Sequence, residues 1–283
     1  MISSKQEVCV VIPVYSTQLS LSEQKSLEQG LAILGQHPVY LVKPQHLDIA
    51  PLLNRYPQLR SETFADDYFT SVKDYNRMML ADDFYARFAQ YEYMLVYQLD
   101  AYVFSDQLLA WCRRGYDYIG APWLPPGATP GKLQRRLIDL RRQFYRLLDR
   151  YVDCGDHTKD PQFTYSVGNG GFSLRRIAAL RKVLQELDAR AQRHRDAHIR
   201  AWPEDQFFSV EANRYRRRLR IPDAEEGAFF AWETNPDVAM RITAGALPFG
   251  CHAWNKLHRQ DWQPIFARFN VELNKILDGD TRS

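Results

Sequence analysis

The sequence predicts an α/β fold in which a mostly parallel central sheet is flanked by helices. Three observations carry this. Val8-Cys-Val-Val-Ile-Pro-Val-Tyr15 is a near-continuous apolar run, as shown by parallel strands buried on both faces. Further short apolar runs alternate with segments of helical periodicity, the pattern of a layered α/β domain. One of these runs, Tyr93 to Leu99, closes on Asp100, so a carboxylate emerges at the end of a buried strand. Open α/β sheets bind ligands at the carboxyl ends of their strands.

The elements follow in order. Leu21 to Leu34 reads as a helix that Ser20 or Ser22 can cap. Val39 to Val42 is a second strand, ended by Pro44. Tyr75 to Phe88 carries Met78, Met79, Phe84 and Phe88 at helical spacing and predicts one helix. The strand ending at Asp100 comes next, then Ala101 to Phe104 and a helix over Asp106 to Cys112. Pro122 to Pro130 is a Pro/Gly loop that marks an internal boundary. Lys132 to Tyr151 is an amphipathic helix with Leu133, Leu137, Leu140, Phe144, Leu147, Leu148 and Tyr151 on one stripe. Its other face carries Lys132, Arg135, Arg136, Arg141, Arg142, Arg146 and Arg150, opposed only by Asp139 and Asp149. Such a helix fits either a solvated basic face on a packed element or contact with an anionic membrane. Arg214 to Arg220 reads as a helix end and strand start, or as an addition to the same basic patch, and Pro264 to Leu277 reads as a closing helix.

With 283 residues, 45% of them hydrophobic and 13% aromatic, the chain can bury a sizeable core and is not a disordered polymer. A net charge of +3 is too small to argue for nucleic acid. Cys9, Cys112, Cys154 and Cys251 lie singly, which predicts reduced thiols and excludes a zinc or disulfide framework. No window approaches the ~20 apolar residues of a spanning helix, and the N-terminus lacks the features of a signal peptide. A cytoplasmic protein is expected, with peripheral docking on the inner face of the membrane through the 131–151 helix left open.

Four polar interruptions hold the candidate chemistry. Gln98 and Asp100, two residues apart on an extended strand, offer one neutral and one charged oxygen to the same spot. Taken alone, Asp100 is equally compatible with a cap or a salt bridge. Val167-Gly-Asn-Gly-Gly-Phe-Ser173 is a glycine turn that can pass close to a sugar or phosphate, or simply lead into a helix. The chain has no GxxxxGK[ST] loop, which removes the usual NTPase reading. Glu204 and Asp205 follow Pro203 at a helix start, where acidic residues suit the dipole; a carboxylate there can also act as general base. His252 and Trp254 share one side of a late extended segment; an imidazole can ligate a divalent ion or sit as a satisfied core histidine, and an indole can offer a platform to a sugar face.

Together these segments resemble nucleotide-sugar glycosyltransferases of the A-type fold, whose sheet is Rossmann-like. Tyr118-Ile-Gly-Ala-Pro-Trp123, Gly168-Asn-Gly-Gly-Phe-Ser-Leu-Arg175, Pro203-Glu-Asp-Gln-Phe-Phe208 and Pro248-Phe-Gly-Cys-His-Ala-Trp254 resemble the signature of a glycosyltransferase-like family catalogued as a domain of unknown function. The pattern is also similar to β-1,4-galactosyltransferases. The resemblance runs from Val8 to Trp254. It implies a single domain over 1–283: a nucleotide-sugar half over about 8–115, an acceptor and catalytic half over about 116–260, and a closing helix over 261–283. It implies Asp100 and His252 as ligands of Mn2+ or Mg2+, and Asp205 or Glu204 as catalytic base. Pro13, Val14, Tyr15, Lys73, Asn76, Gln98, Gly170 and Gly171 would contact the donor, and Trp123 and Trp254 the acceptor sugar. Gln98 departs from the family pattern, which has an Asp there. The implied activity is transfer of a sugar from a nucleoside diphosphate donor, UDP-linked in the first instance, to a glycan or lipid-linked glycan. The transfer would be inverting and would serve surface polysaccharide synthesis. Alternatives are a retaining transferase, a sugar-nucleotide hydrolase, a metal-dependent phosphoesterase or a non-catalytic glycan- or nucleotide-binding module.

Overall fold

The computed structural model describes residues 6–148, 160–196, 203–257, 259–269 and 271–280. Its first half alternates as predicted: β1 (Gln6–Pro13), α1 (Leu21–Leu34), β2 (Val39–Pro44), α2 (Ala50–Arg55), β3 (Leu59–Phe64), α3 (Val72–Met79), α4 (Asp82–Ala86) and β4 (Tyr91–Tyr97). The second half holds β5 (Tyr102–Val103), α5 (Leu108–Arg113), β6 (Tyr118–Ile119), α6 (Lys132–Leu147), β7 (Phe172–Arg176), α7 (Ile177–Glu186) and α8 (Asp188–Asp196). It closes with α9 (Glu204–Ser209), α10 (Ala224–Phe230), β8 (Ala231–Trp232), α11 (Pro236–Ile242), β9 (Gly250–Cys251), α12 (Arg259–Ala267) and α13 (Leu273–Asp280).

A six-stranded sheet runs in the order β3-β2-β1-β4-β7-β6. Strands β3, β2, β1 and β4 are parallel, and β7 joins β4 antiparallel. The alternation of side chains explains why β1 and β4 are apolar throughout. Val8, Val10, Ile12, Tyr93, Leu95 and Tyr97 enter the core on one face, and Cys9, Val11, Met94 and Val96 enter the core on the other. A small second sheet, β5-β9-β8, sits over a third core of Tyr102, Trp232, Trp254, Trp262 and Phe266. It carries the chain segments that close the site.

Several expected boundaries move. Ser20, not Ser22, caps α1 in a reciprocal capping box with Glu23. The helix expected over Tyr75 to Phe88 starts earlier, where Ser71 Oγ accepts from the Asp74 N–H, and breaks after Met79. The break lets Asp82 open a new helix and take a bidentate contact from Arg181, at 2.8 and 3.1 Å. The closing helix is two, α12 and α13, with Pro264 inside the first. Arg214 to Arg220 forms no strand; Arg214 is buried against Glu211 at 2.6 Å.

The largest reversal is α6. Its leucine stripe faces outward, and Arg142 and Arg146 face the protein, donating to the carbonyls of Tyr165 and Gln162. Tyr151, Arg150 and Asp149 lie outside the described residues. Cys9, Cys112 and Cys251 are buried free thiols, and Cys154 lies outside the described residues. Among the described residues no helix is long and apolar enough to cross a membrane.

Candidate functional site

Strand β4 ends at Tyr97, and Gln98 to Asp100 form a turn closed by the Ala101 N–H on the Gln98 carbonyl, at 2.8 Å. Gln98 and Asp100 still converge, through the turn and not through strand alternation. Gln98 Oε1 lies 3.1 Å and Asp100 Oδ1 3.0 Å from the same atom, His252 Nε2. His252 arrives just after β9, whose partner strand β8 delivers Glu233. Glu233 Oε1 lies 3.0 Å from His252 Nδ1 and sets the ring's orientation. Lys256 Nζ takes the other oxygen of Asp100 at 2.7 Å.

Burial opposes charge on both central groups, but the partners outweigh it. His252 is pushed up to about 10 by Asp100 and Glu233, which favours the protonated ring where no metal is bound. Asp100 is held well below the usual carboxylate range by His252 and Lys256.

The glycine turn fits between two such groups. A Cβ on Gly171 would lie 2.0 Å from His252 Nε2, and one on Gly170 would lie 2.0 Å from Glu204 Oε1. Neither glycine has positive φ; that conformation falls on Asn169, at 54°. Asn169 Oδ1 accepts the N–H groups of Gly171 and Phe172, pinning the turn. The glycines are therefore required for close approach of side chains, not for backbone freedom.

Beside Gly170 lies the fully buried Arg175. Its guanidinium donates to Ser173 Oγ (2.9 Å), the Tyr85 hydroxyl (2.9 Å), the Gly170 carbonyl (3.1 Å) and Glu204 Oε1 (2.7 Å). Tyr118 and Phe208 cover its faces, with centroids at 5.5 and 5.8 Å. Glu204 is thus held in an ion pair. Its neighbour Asp205 has its pKa raised well above the carboxylate range by burial, then by Glu204 and Glu233.

A cleft of 690 Å³ opens at the carboxyl ends of β1 and β4, with Pro13, Val14, Tyr15, Thr70, Ser71, Tyr75, Gln98, Asp100 and Lys256 among its walls. Tyr15 stands half exposed, with Phe69 edge-on at 5.7 Å and Tyr75 at 6.5 Å. Glu204, Asp205 and His252 are not among the lining residues.

Three expected contacts are corrected. Trp254 is 0% exposed, packed on Phe266 at 4.9 Å, and Trp123 is 2% exposed against Gly168 and Phe163. Both belong to the core and present no face to a sugar. Asn76 is buried beneath the start of α9, its Oδ1 3.5 Å from the Glu204 N–H, and neither it nor Lys73 lines the cleft. Sequence reasoning missed Glu233, Lys256 and the role of Arg175. Glu233 carries the signal that exposed Asp100: an apolar stretch, Phe229 to Trp232, closing on a carboxylate.

Gln98, Asp100 and His252 are the residues that would hold a divalent ion here. With Nδ1 turned to Glu233, Nε2 and two oxygens meet at 3.0–3.1 Å, a lone-pair crowd that needs a proton or a cation at its centre. Adjacent ligands of an octahedral ion lie about 3 Å apart, and a carboxylate on the far ring nitrogen is the usual support of a metal-binding histidine. The set has one carboxylate, and no group of three or more His, Cys, Asp or Glu side chains able to hold a metal occurs among the described residues.

Residues 58–252, more than half of the chain, match the family described as "Protein of unknown function (DUF5672)". The chain belongs to that family. No curated protein matches this DUF5672 member. Among solved structures it is similar to the galactosyltransferase LgtC in complex with donor and acceptor sugar analogues. They share 9% identity with a TM-score of 0.54, over 97% of this chain and 95% of that one. It is also similar to core-mannan synthase A (CmsA/Ktr4) from Aspergillus fumigatus in its Mn/GDP form, at 11% identity and TM-score 0.47, over 74% and 70% of the two chains. The mannosyltransferase Ktr4p from S. cerevisiae with GDP matches at 11% identity and TM-score 0.46, over 80% and 69%. The end-to-end likeness to LgtC shows the fold: this DUF5672 chain has the A-type glycosyltransferase architecture.

Proposed function

We propose that this protein transfers a sugar from a nucleoside diphosphate donor, in the first instance a UDP-sugar, to a glycan or lipid-linked glycan acceptor in surface polysaccharide synthesis. One observation carries the reading: a single cleft at the strand ends is lined both by aromatic rings and by a carboxylate–ammonium pair. A base and a diphosphate need those two environments. Tyr15, with Phe69 and Tyr75 around it, offers a stacking surface for the nucleobase, and Pro13 and Val14 form the wall beside it.

Asp100, Gln98 and His252 would hold Mn2+ or Mg2+, which when bound supplies positive charge beside the leaving diphosphate. Lys256, whose side chain is 66% exposed, can leave Asp100 Oδ2 and donate to a phosphate oxygen. Gly170 and Gly171 keep His252 and Glu204 close to the donor side, because any side chain there would displace them. Asp205, in its ionised form, would take the proton of the acceptor hydroxyl; burial and two neighbouring carboxylates raise its proton affinity. Glu204 holds Arg175 and positions the start of α9. Attack from the face opposite the diphosphate would invert the anomeric centre.

Asp205 stands outside the lining of the cleft, which favours a second reading: retaining transfer, or hydrolysis of the donor, with Asp205 orienting groups. The anomeric configuration of the product by NMR separates the two. The central test is thermal shift with a panel of nucleotide sugars, each with and without Mn2+. A metal-dependent rise with one donor, lost in Asp100→Ala, is expected. No shift with any nucleotide sugar would sink the reading.

A further inference from the structure

Helix α6 is amphipathic but mounted with its apolar side out. Leu133, Leu137, Leu140, Phe144 and Leu147 are 73, 59, 64, 59 and 61% exposed, and Leu148 follows at 46%. Single exposed leucines are ordinary, but an unbroken stripe of six apolar side chains marks an interaction surface.

The mounting is fixed by the other side. Arg142 donates to the Tyr165 carbonyl (2.5 Å), and Arg146 to the Gln162 carbonyl (3.1 Å) and Ser166 Oγ (2.7 Å). Arg135 donates to the Pro130 carbonyl (3.0 Å) and pairs with Glu225. The guanidiniums of Arg142 and Arg146 satisfy carbonyls of the 160–166 segment, so turning the leucines inward would strand buried polar groups.

We propose that α6 docks in the surface of an anionic lipid bilayer through this leucine stripe. The occupant follows from charge. Lys132, Arg136 and Arg141 are exposed cations of the helix, and its described acid, Asp139, half exposed, is paired with Arg142 at 2.6 Å. An apolar stripe flanked by cations matches an interface with anionic headgroups above and acyl chains below. A second copy of the chain would set these cations against their own kind. The helix has 16 residues, about 24 Å of length, and suits lying in the interface plane.

The test uses the full chain, without donor or acceptor, so its outcome is separate from that of the transfer reading. Sedimentation is measured with vesicles of phosphatidylcholine, with and without phosphatidylglycerol. Expected is binding to the anionic vesicles, at least about tenfold stronger than to neutral ones. The triple change Leu137→Gln, Leu140→Gln, Phe144→Gln should cut it at least about tenfold with an unaltered thermal melt. Arg136→Gln with Arg141→Gln should cost about fivefold per charge on anionic vesicles. Failure of the wild-type chain to bind, or equal binding by both variants, overturns the proposal. So does light scattering that shows a dimer dispersed by the triple change with no vesicle binding, since a second copy then covers the stripe.

Discussion

The glycine turn separates two acid–base pairs that look alike in sequence and differ in what they can do. On the Gly170 side, Arg175 and Glu204 are 0 and 4% exposed, and the guanidinium donates four hydrogen bonds. On the Gly171 side, Asp100 is 10% exposed, but its partner Lys256 is 66% exposed and holds it by one contact. A saturated buried pair has no capacity left for a ligand, and breaking it strands a charge. A carboxylate with one mobile cation and one imidazole can exchange partners when a diphosphate arrives. The fold therefore places its scaffold and its exchangeable charges about one residue apart on the same turn.

The sharpest way to break this contrast is to remove the scaffold charge. Arg175→Ala should lower stability by about 3–5 kcal/mol, measured by urea unfolding, because it leaves Glu204 buried and unpaired. If the loss is under about 1 kcal/mol, Arg175 is not the organiser of the turn.

Asp205→Asn should separate function from stability. Turnover with donor and acceptor should fall at least about hundredfold, while the fold gains at neutral pH. The sign follows from linkage. Asp205 has its proton affinity raised on folding, so its favourable term is complete below the unfolded carboxylate pKa of about 4. It is lost as pH rises toward the folded value. Urea midpoints of wild type should thus fall behind those of Asp205→Asn as pH rises from about 4. A gap that narrows with pH would show that Asp205 is not proton-hungry in the folded chain.

These contrasts were only partly legible in the sequence. The parallel sheet was, because β1 and β4 feed cores on both faces and so cannot alternate with polar residues. Asp100 was legible because a charge interrupts an apolar run. Glu233 carries the same mark on a two-residue strand, too short to register as one. The pairings of Arg175 with Glu204 and of Lys256 with Asp100 span 29 and 156 residues, and no local pattern encodes such distances. Amphipathic spacing divided α6 into two faces but gave no indication that carbonyls near Tyr165 would draw the arginines inward. Trp123 and Trp254 had the chemistry of sugar platforms, but exposure is decided by packing, and packing buried them.

Glu233→Gln probes the support of the exchangeable side. A carboxylate on the far nitrogen of a metal-binding imidazole typically contributes 10–100-fold in metal affinity or activity. A rise of about that size is expected in the Mn2+ concentration needed for half-maximal thermal shift with donor. The urea midpoint without metal should move far less than in Arg175→Ala. An unchanged Mn2+ requirement would remove His252 from the metal reading and leave it as a fixed cation beside Asp100.

The smallest effect belongs to Lys256, and it is the most discriminating. Its ammonium is mostly exposed and Asp100 keeps His252 as a second partner, so Lys256→Gln should lower stability by about 1 kcal/mol or less. If its ammonium moves to the diphosphate, donor affinity should weaken about tenfold, read by titration calorimetry with the best donor of the thermal-shift panel. The nucleoside without its diphosphate should bind both proteins equally, since the stacking surface is offered by Tyr15 and Phe69 and not by Lys256. Equal losses for nucleoside and donor would mean that Lys256 only shapes the cleft wall. No loss for either would leave Asp100 and His252 to meet the diphosphate alone.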